Sequence, residues 1–269
     1  MVSCGAVALA LAGVSAAPTT GATWAPAATA TIRPGVQLRS PSGQCTANFI
    51  FTDSAGVYIG SAAHCTGTGG ATETDGCLAG SLPVGTPVTI EGASEPGVLA
   101  YSSWLTMQAV GETDPDTCAF NDLALVRIDP ADVGKVNPTI PHWGGPTGLS
   151  WGTTFGEKVY SYGNSSLRLG LALLSPKEGI SLGDSAGGWN HTVYTLTPGI
   201  PGDSGSAFLD SAGRALGVLS TVQLAPLPAA NGVGDLRREV DYLHAHTSLA
   251  AQLVLGTEPF NPNQLPLGL

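Results

Sequence analysis

A serine set between glycines, Gly202-Asp203-Ser204-Gly205-Ser206, follows Thr197-Pro198-Gly199-Ile200-Pro201 and precedes the apolar run Ala207-Phe208-Leu209. This order displays a hydroxyl at a tight bend that enters a strand. A serine is a weak nucleophile unless a base lies within hydrogen-bond reach, and glycines beside it let backbone N–H groups turn towards a developing oxyanion. Upstream, the chain offers a base and a carboxylate to orient it: His64 in Ser61-Ala62-Ala63-His64-Cys65, and Asp122 in Asn121-Asp122-Leu123-Ala124-Leu125-Val126. His, Asp, Ser is one of three chain orders in which unrelated folds assemble such a triad.

The elements that must position these groups read as short strands. Between Val36 and Ile140, apolar runs at Thr46–Thr52, Gly56–Ala62, Thr86–Glu91, Val98–Tyr101 and Leu123–Ile128 alternate with Gly, Pro, Asp and Ser punctuation. Asn137–Leu149, rich in proline and glycine, reads as a linker. A second set follows at Lys158–Tyr162, Leu169–Leu174, Thr192–Thr197, Ser206–Leu209 and Ala215–Val222. Strands of this length and spacing indicate an all-β sandwich or barrel. From Asp235 the period changes: Leu236, Val240, Leu243, Ala250, Ala251 and Val254 share one helical face, with Asp235 placed to cap and Gly256 to stop a helix.

Composition bounds the partners. Ten Lys and Arg against twenty Asp and Glu give a net charge of −10, which argues against nucleic acid or an anionic membrane. Residues 1–16 read as a secretion signal, apolar from Cys4 to Val14 with a small-residue cleavage site at Val14-Ser15-Ala16, although no Lys or Arg precedes Arg33. Residues 17–35 read as an Ala/Thr/Pro-rich leader with little fixed structure. Signal removal would leave Cys45, Cys65, Cys77 and Cys118. An even count in an exported chain without a C-x2-C pair favours disulfides, in any of three pairings, over metal ligation.

The motifs "GSAAHC", "NDLALVRID" and "PGDSGSAF" resemble those of the trypsin/chymotrypsin-like serine proteases in their secreted bacterial form, and the similarity runs from about Val36 to Leu255. The resemblance implies two packed six-stranded antiparallel β-barrels, residues 36–140 and 141–234, a C-terminal helix over 235–255, a tail over 256–269, and an active site between the barrels. It implies Ser204 as nucleophile, His64 as base, Asp122 as its orienting carboxylate, and the N–H groups of Gly202 and Ser204 as oxyanion hole. It also implies the disulfide Cys45–Cys65, and with it Cys77–Cys118. A pocket bounded by Pro198, Gly199, Ile200 and Pro201 on one side and Ser220, Thr221 and Val222 on the other carries no charge. Pro198 stands where an acid would select Lys or Arg, and Leu219 where a histidine would select Glu, so a small or apolar P1 side chain is expected. Segment Ser220–Val222 would pair with the substrate backbone, and the Ser220 hydroxyl would support Asp122. Arg168 is a candidate partner for Asp203. The implied protein is a secreted, extracellular, monomeric endopeptidase acting on protein or peptide substrates without cofactor or metal.

Two rival readings remain. Gly183-Asp184-Ser185-Ala186-Gly187-Gly188, with Asp241 and His244 downstream, matches a G-x-S-x-G nucleophile elbow and would make an esterase. Trp189–Thr197 reads as a strand rather than the helix an elbow requires, and an HGGG-type motif is absent. The other rival is a protease fold without turnover that serves as a binding protein, against which the intact triad speaks. His142 and His191 read as isolated surface or loop residues, and His244 and His246, two apart on a helix, face different sides.

Overall fold

The computed structural model describes residues 23–70, 73–223 and 228–265. The expected secretion signal, Cys4 included, lies outside them. Among the described residues no helix is long and apolar enough to cross a membrane.

The first half is an antiparallel sheet of β1 (Gln37–Ser40), β2 (Gly43–Thr46), β3 (Ile50–Thr52), β4 (Val57–Ala62), β5 (Pro87–Ile90), β6 (Gly97–Ser102) and β7 (Leu123–Arg127). The second half contains β8 (Phe155–Tyr162), β9 (Pro176–Ser185), β10 (Asn190–Thr195), β11 (Ala207–Leu209), β12 (Ala215–Gln223) and β13 (Ala230–Asp235), closed into a barrel in the order β10-β13-β12-β11-β8-β9. Helices α1 (Ser103–Val110) and α2 (Pro115–Phe120) lie between β6 and β7, and α3 (Leu236–His246) follows β13. A last strand, β14 (Gln252–Leu253), returns to the first sheet, whose order is β14-β3-β4-β7-β6-β5-β1-β2. The mostly-β class, its two halves and the C-terminal helix agree with expectation; the second half is the closed six-stranded barrel and the first an eight-stranded sheet.

Strands at the junction of the halves bury both faces, which explains their unbroken apolar runs. In β7, Leu123 and Leu125 enter a cluster shared with Trp143, Leu209, Val218, Leu236, Val240 and Leu243, whereas Ala124 and Val126 join Ile50, Ile59, Ile90 and Leu99 inside the first half. In β11, Ala207 and Leu209 face the shared cluster, and Phe208 packs with Val159, Val193, Leu216, Leu219 and Val233 inside the barrel. The disulfides are Cys45–Cys65 and Cys77–Cys118, both in the first half.

Four expectations are corrected. The leader is fixed from about residue 24: Ala25 N donates to Val136 O, and the fully buried Ile32 bridges Val136. Leu169–Leu174 is no strand but a pair of 3-10 turns with Leu169 left-handed at φ 53°, and Leu169 and Leu171 are largely exposed. Its hydrogen bonds are local, and the strand forms instead at β9, which pairs with β8 and β10. The third correction shortens α3: Asp235 caps it as expected, yet it ends at His246, where Thr247 turns extended. The apolar residues beyond serve a strand, with Leu253 opposite Phe51 and Ala251 buried.

The fourth correction concerns His191, which is fully buried. Its Nδ1 lies 2.7 Å from Asp184 Oδ1 and its Nε2 2.9 Å from Asp235 Oδ2. Both ring nitrogens can donate only in the imidazolium. Burial alone would lower the pKa, and the two carboxylates outweigh it, so the value is raised. A raised folded-state pKa contributes stability that is complete below the unfolded value, about 6.5, and is lost as pH rises through the folded one. Replacing His191 by Gln is expected to cost about 3–5 kcal/mol at pH 5, with the gap narrowing as pH rises. Urea unfolding of both proteins across pH checks this; a pH-independent gap would mean a neutral ring.

Candidate active site

His64 sits on a 3-10 turn, Ala63–Thr66, at the end of β4. Asp122, 2% exposed, immediately precedes β7, the partner of β4, so the sheet register brings the two turns together. The Asp122 carboxylate accepts three hydrogen bonds: Oδ1 from His64 N at 2.8 Å, and Oδ2 from His64 Nδ1 and from the Ser220 hydroxyl, each at 2.6 Å. Three donors satisfy a buried carboxylate. Because Asp122 only accepts, Nδ1 carries the proton and the neutral ring keeps its lone pair on Nε2. Burial pushes the His64 pKa down and the charge and hydrogen bond of Asp122 push it up, with a net rise. The Cys45–Cys65 bridge ties β2 to the residue after His64.

Behind Asp122 lies a group that the sequence reading passed over. Glu239 of α3 is fully buried and its Oε1 accepts from Asp122 N at 3.0 Å. Burial, and the nearby Asp122 and Asp235 charges, raise its pKa well above the usual carboxylate range. The pattern held a signal: Glu239 falls on the same helical face as Leu236, Val240 and Leu243.

The Ser204 loop is built on a second buried carboxylate. Asp203 is fully buried and pairs through Oδ2 with Arg168 Nη2 at 2.5 Å and Lys177 Nζ at 3.1 Å. Ser165 N donates to Oδ1 and Ile200 N to Oδ2. Arg168 is therefore the cation partner, and Lys177, in a stretch with no distinguishing pattern, is a second that the sequence reading missed. Lys177 is itself without solvent access and also donates to Thr197 O and Pro198 O; burial lowers its pKa. Gly202 and Gly205 adopt φ +95° and +84°. A Cβ on Gly205 would lie 2.6 Å from Thr46 O and 2.7 Å from Ser61 Oγ, so glycine lets this loop close on the strands that lead to His64.

Thr46 N donates to Ser204 O, and Thr46 Oγ1 to Gly202 O, each at 2.8 Å. Among the described residues, the amides of Gly202 and Ser204 donate to no acceptor, and the Ser204 hydroxyl makes no hydrogen bond to His64 Nε2, which has Cys65 Sγ at 4.0 Å. Along the loop, Gly199 N donates to Asn231 Oδ1, another contributor that the sequence reading missed. Ser220, beside Asp122, sits at the β12 bulge between Leu219 and Thr221. Val222 is 50% exposed.

The esterase constellation does not assemble. Ser185 ends β9 opposite Asn190 of β10 and exchanges hydrogen bonds with it, so the motif forms a hairpin rather than a strand-to-helix elbow. His244 Nε2 instead meets Ala251 O, and Asp241 is exposed.

Truncating Asp203 to Ala would strand two buried cations and is expected to cost about 3–5 kcal/mol. Lys177→Met leaves Arg168 on the carboxylate and frees two carbonyls, for a smaller loss of about 1–3 kcal/mol. Denaturant unfolding of the two variants checks the order.

No family model matches the chain, and no curated protein does. Among solved structures, the fold is similar to Thermobifida fusca Protease A, with TM-score 0.52 and 18% identity over 84% of this chain and 99% of that one. A Glu endopeptidase matches with TM-score 0.52 and 16% identity over 81% and 91%. A glutamic acid-specific serine protease, described as using a histidine triad in substrate binding, matches with TM-score 0.50 and 16% identity over 83% and 100%. The chain has the fold of the bacterial trypsin/chymotrypsin-like serine proteases.

Proposed function

We propose that this protein is a serine endopeptidase. The observation that carries the reading is the Asp122 carboxylate holding His64 Nδ1 at 2.6 Å, which leaves Nε2 as a base for the glycine-flanked Ser204. Ser204 Oγ attacks the scissile carbonyl as His64 Nε2 takes its proton. Negative charge then develops on the carbonyl oxygen, and the unengaged amides of Gly202 and Ser204 receive it. His64 passes the proton to the leaving amine, which breaks the C–N bond and leaves an acyl-enzyme. Water, deprotonated by the same imidazole, releases the acid.

Substrates in this reading are proteins or peptides. An uncharged pocket between Pro198–Pro201 and Ser220–Val222 favours a small or apolar P1 side chain, and the Ser220–Val222 backbone pairs with the substrate as an added strand. Two disulfides support an oxidising, extracellular site of action. No cofactor or metal is needed, and the enzyme acts as a monomer.

One observation favours a second reading, a binding protein with a dormant triad: the missing hydrogen bond between Ser204 and Nε2. Apo enzymes often tighten that contact only with substrate bound, and labelling decides. A fluorophosphonate probe is expected to modify Ser204 alone, to spare Ser204→Ala, and to label Ser185→Ala as it does the wild type. Absence of labelling would favour the binding protein, and modification at Ser185 the esterase. Ser204→Ala is expected to lower kcat by about 10⁴–10⁶-fold.

The pH profile follows from the base. His64 must be neutral, and Asp122 raises its pKa, so kcat/KM is expected to rise with pH through a value above about 6.5 and to be lost below it. A flat profile between about pH 5 and 8 would remove His64 from the mechanism.

A further inference from the structure

The peptide between Pro201 and Gly202 decides whether the space beside Ser204 meets an N–H donor or a carbonyl oxygen. Glycine at position 202 makes a half-turn of that peptide inexpensive, since both signs of φ are open to it. Some contact must therefore select one orientation. The contact present is Ser165, 1% exposed, whose hydroxyl donates to Pro201 O at 2.5 Å. A trans peptide holds its C=O and N–H in opposite directions, and the cis bond among the described residues is elsewhere, at Gly145-Pro146. With the carbonyl held on Ser165, the Gly202 N–H points away from it, and there it has no acceptor among the described residues.

Ser165 is itself held on two sides. Its hydroxyl oxygen accepts from Leu167 N at 3.1 Å, which leaves the proton for Pro201, and its own N–H donates to Asp203 Oδ1 at 3.1 Å. The next peptide is locked separately, by Thr46 Oγ1 and Gln44 Nε2 on Gly202 O and by Asp203 N on Ile200 O. Only the first of the two peptides depends on Ser165. A Cβ on Gly202 would stand 2.6 Å from Gln44 Oε1 and 2.9 Å from the Ser165 hydroxyl, so with Ser165 in this place the position has no room for a side chain.

Resting on the endopeptidase reading, we propose that Ser165 is a positioning residue that holds the Pro201–Gly202 peptide with its N–H towards the oxyanion. Its side chain bonds none of His64, Asp122 and Ser204 and acts through the Pro201–Gly202 peptide.

The test compares wild type with Ser165→Ala, Ser165→Thr and Ser165→Cys on a peptide p-nitroanilide with alanine or leucine at P1, with active sites counted by fluorophosphonate titration. Loss of one oxyanion donor costs about 10²–10³ in kcat, so Ser165→Ala and the near-isosteric Ser165→Cys are expected to lose about tenfold or more, with KM and the pH profile unchanged. Affinity for a peptidyl aldehyde, which places an oxyanion on these amides, should fall in step with kcat, and affinity for an unreactive peptide of the same sequence should not. Ser165→Thr keeps the hydroxyl and should restore most of the rate. Wild-type kcat and aldehyde affinity in both Ala and Cys variants, or equal losses in Thr and Ala, would overturn the proposal while leaving the protease reading intact. A wild-type protein that neither turns over peptides nor takes the probe would overturn the reading and the proposal together.

Discussion

The structure around Ser204 depends on a single charge that has no access to water. A carboxylate moved out of water costs several kcal/mol unless partners replace its hydration, and Asp203 collects Arg168, Lys177 and two backbone amides to do so. Those partners come from separate stretches, residues 165–168, residue 177 and residue 200, so satisfying one charge brings three segments to a fixed spacing. The loop bearing Ser204 has its shape because Asp203 must face inward, and glycines at 202 and 205 supply the backbone angles this demands. Lys177 carries the constraint onward, since its ammonium also holds the carbonyls of Thr197 and Pro198.

A second buried carboxylate organises the other side of the cleft. Asp122 faces His64 and Ser220 with its side chain and Glu239 with its backbone N–H. The first half therefore supplies the imidazole and its carboxylate, β12 adds a hydroxyl, and the C-terminal helix braces the turn from behind. Burial and the neighbouring Asp122 and Asp235 charges raise the Glu239 pKa, which disfavours a second negative charge beside Asp122.

The residues proposed as the triad, His64, Asp122 and Ser204, stand out in the sequence because each lies in a short local motif whose residue types the proposed chemistry requires. Lys177, Ser165 and Asn231 do not, because each acts through space on groups far off in the sequence, Lys177 on the Asp203 carboxylate and two carbonyls, Ser165 and Asn231 on backbone atoms that any residue could carry. Glu239 stood between: an acid on an otherwise apolar helical face is visible, but its target is not. Leu169–Leu174 misled because an apolar run without alternation has no period to separate a buried strand from an exposed turn. His191 misled for a different reason, since the two aspartates that enclose it are seven and forty-four residues away.

The return of β14 to the first sheet bears on the order in which the molecule forms. Residues 252–253 pair with β3, and Thr257 reaches back to Asn137 and Thr139. Domains generally fold as units from the N-terminal end during synthesis, yet the half that carries His64 and Asp122 needs a strand from far beyond the second barrel, and Asp122 needs α3. That half cannot be finished first. A nascent chain stopped before α3 and β14 would hold His64, Asp122 and Ser204 without the helix and strand that brace Asp122 and complete the first sheet.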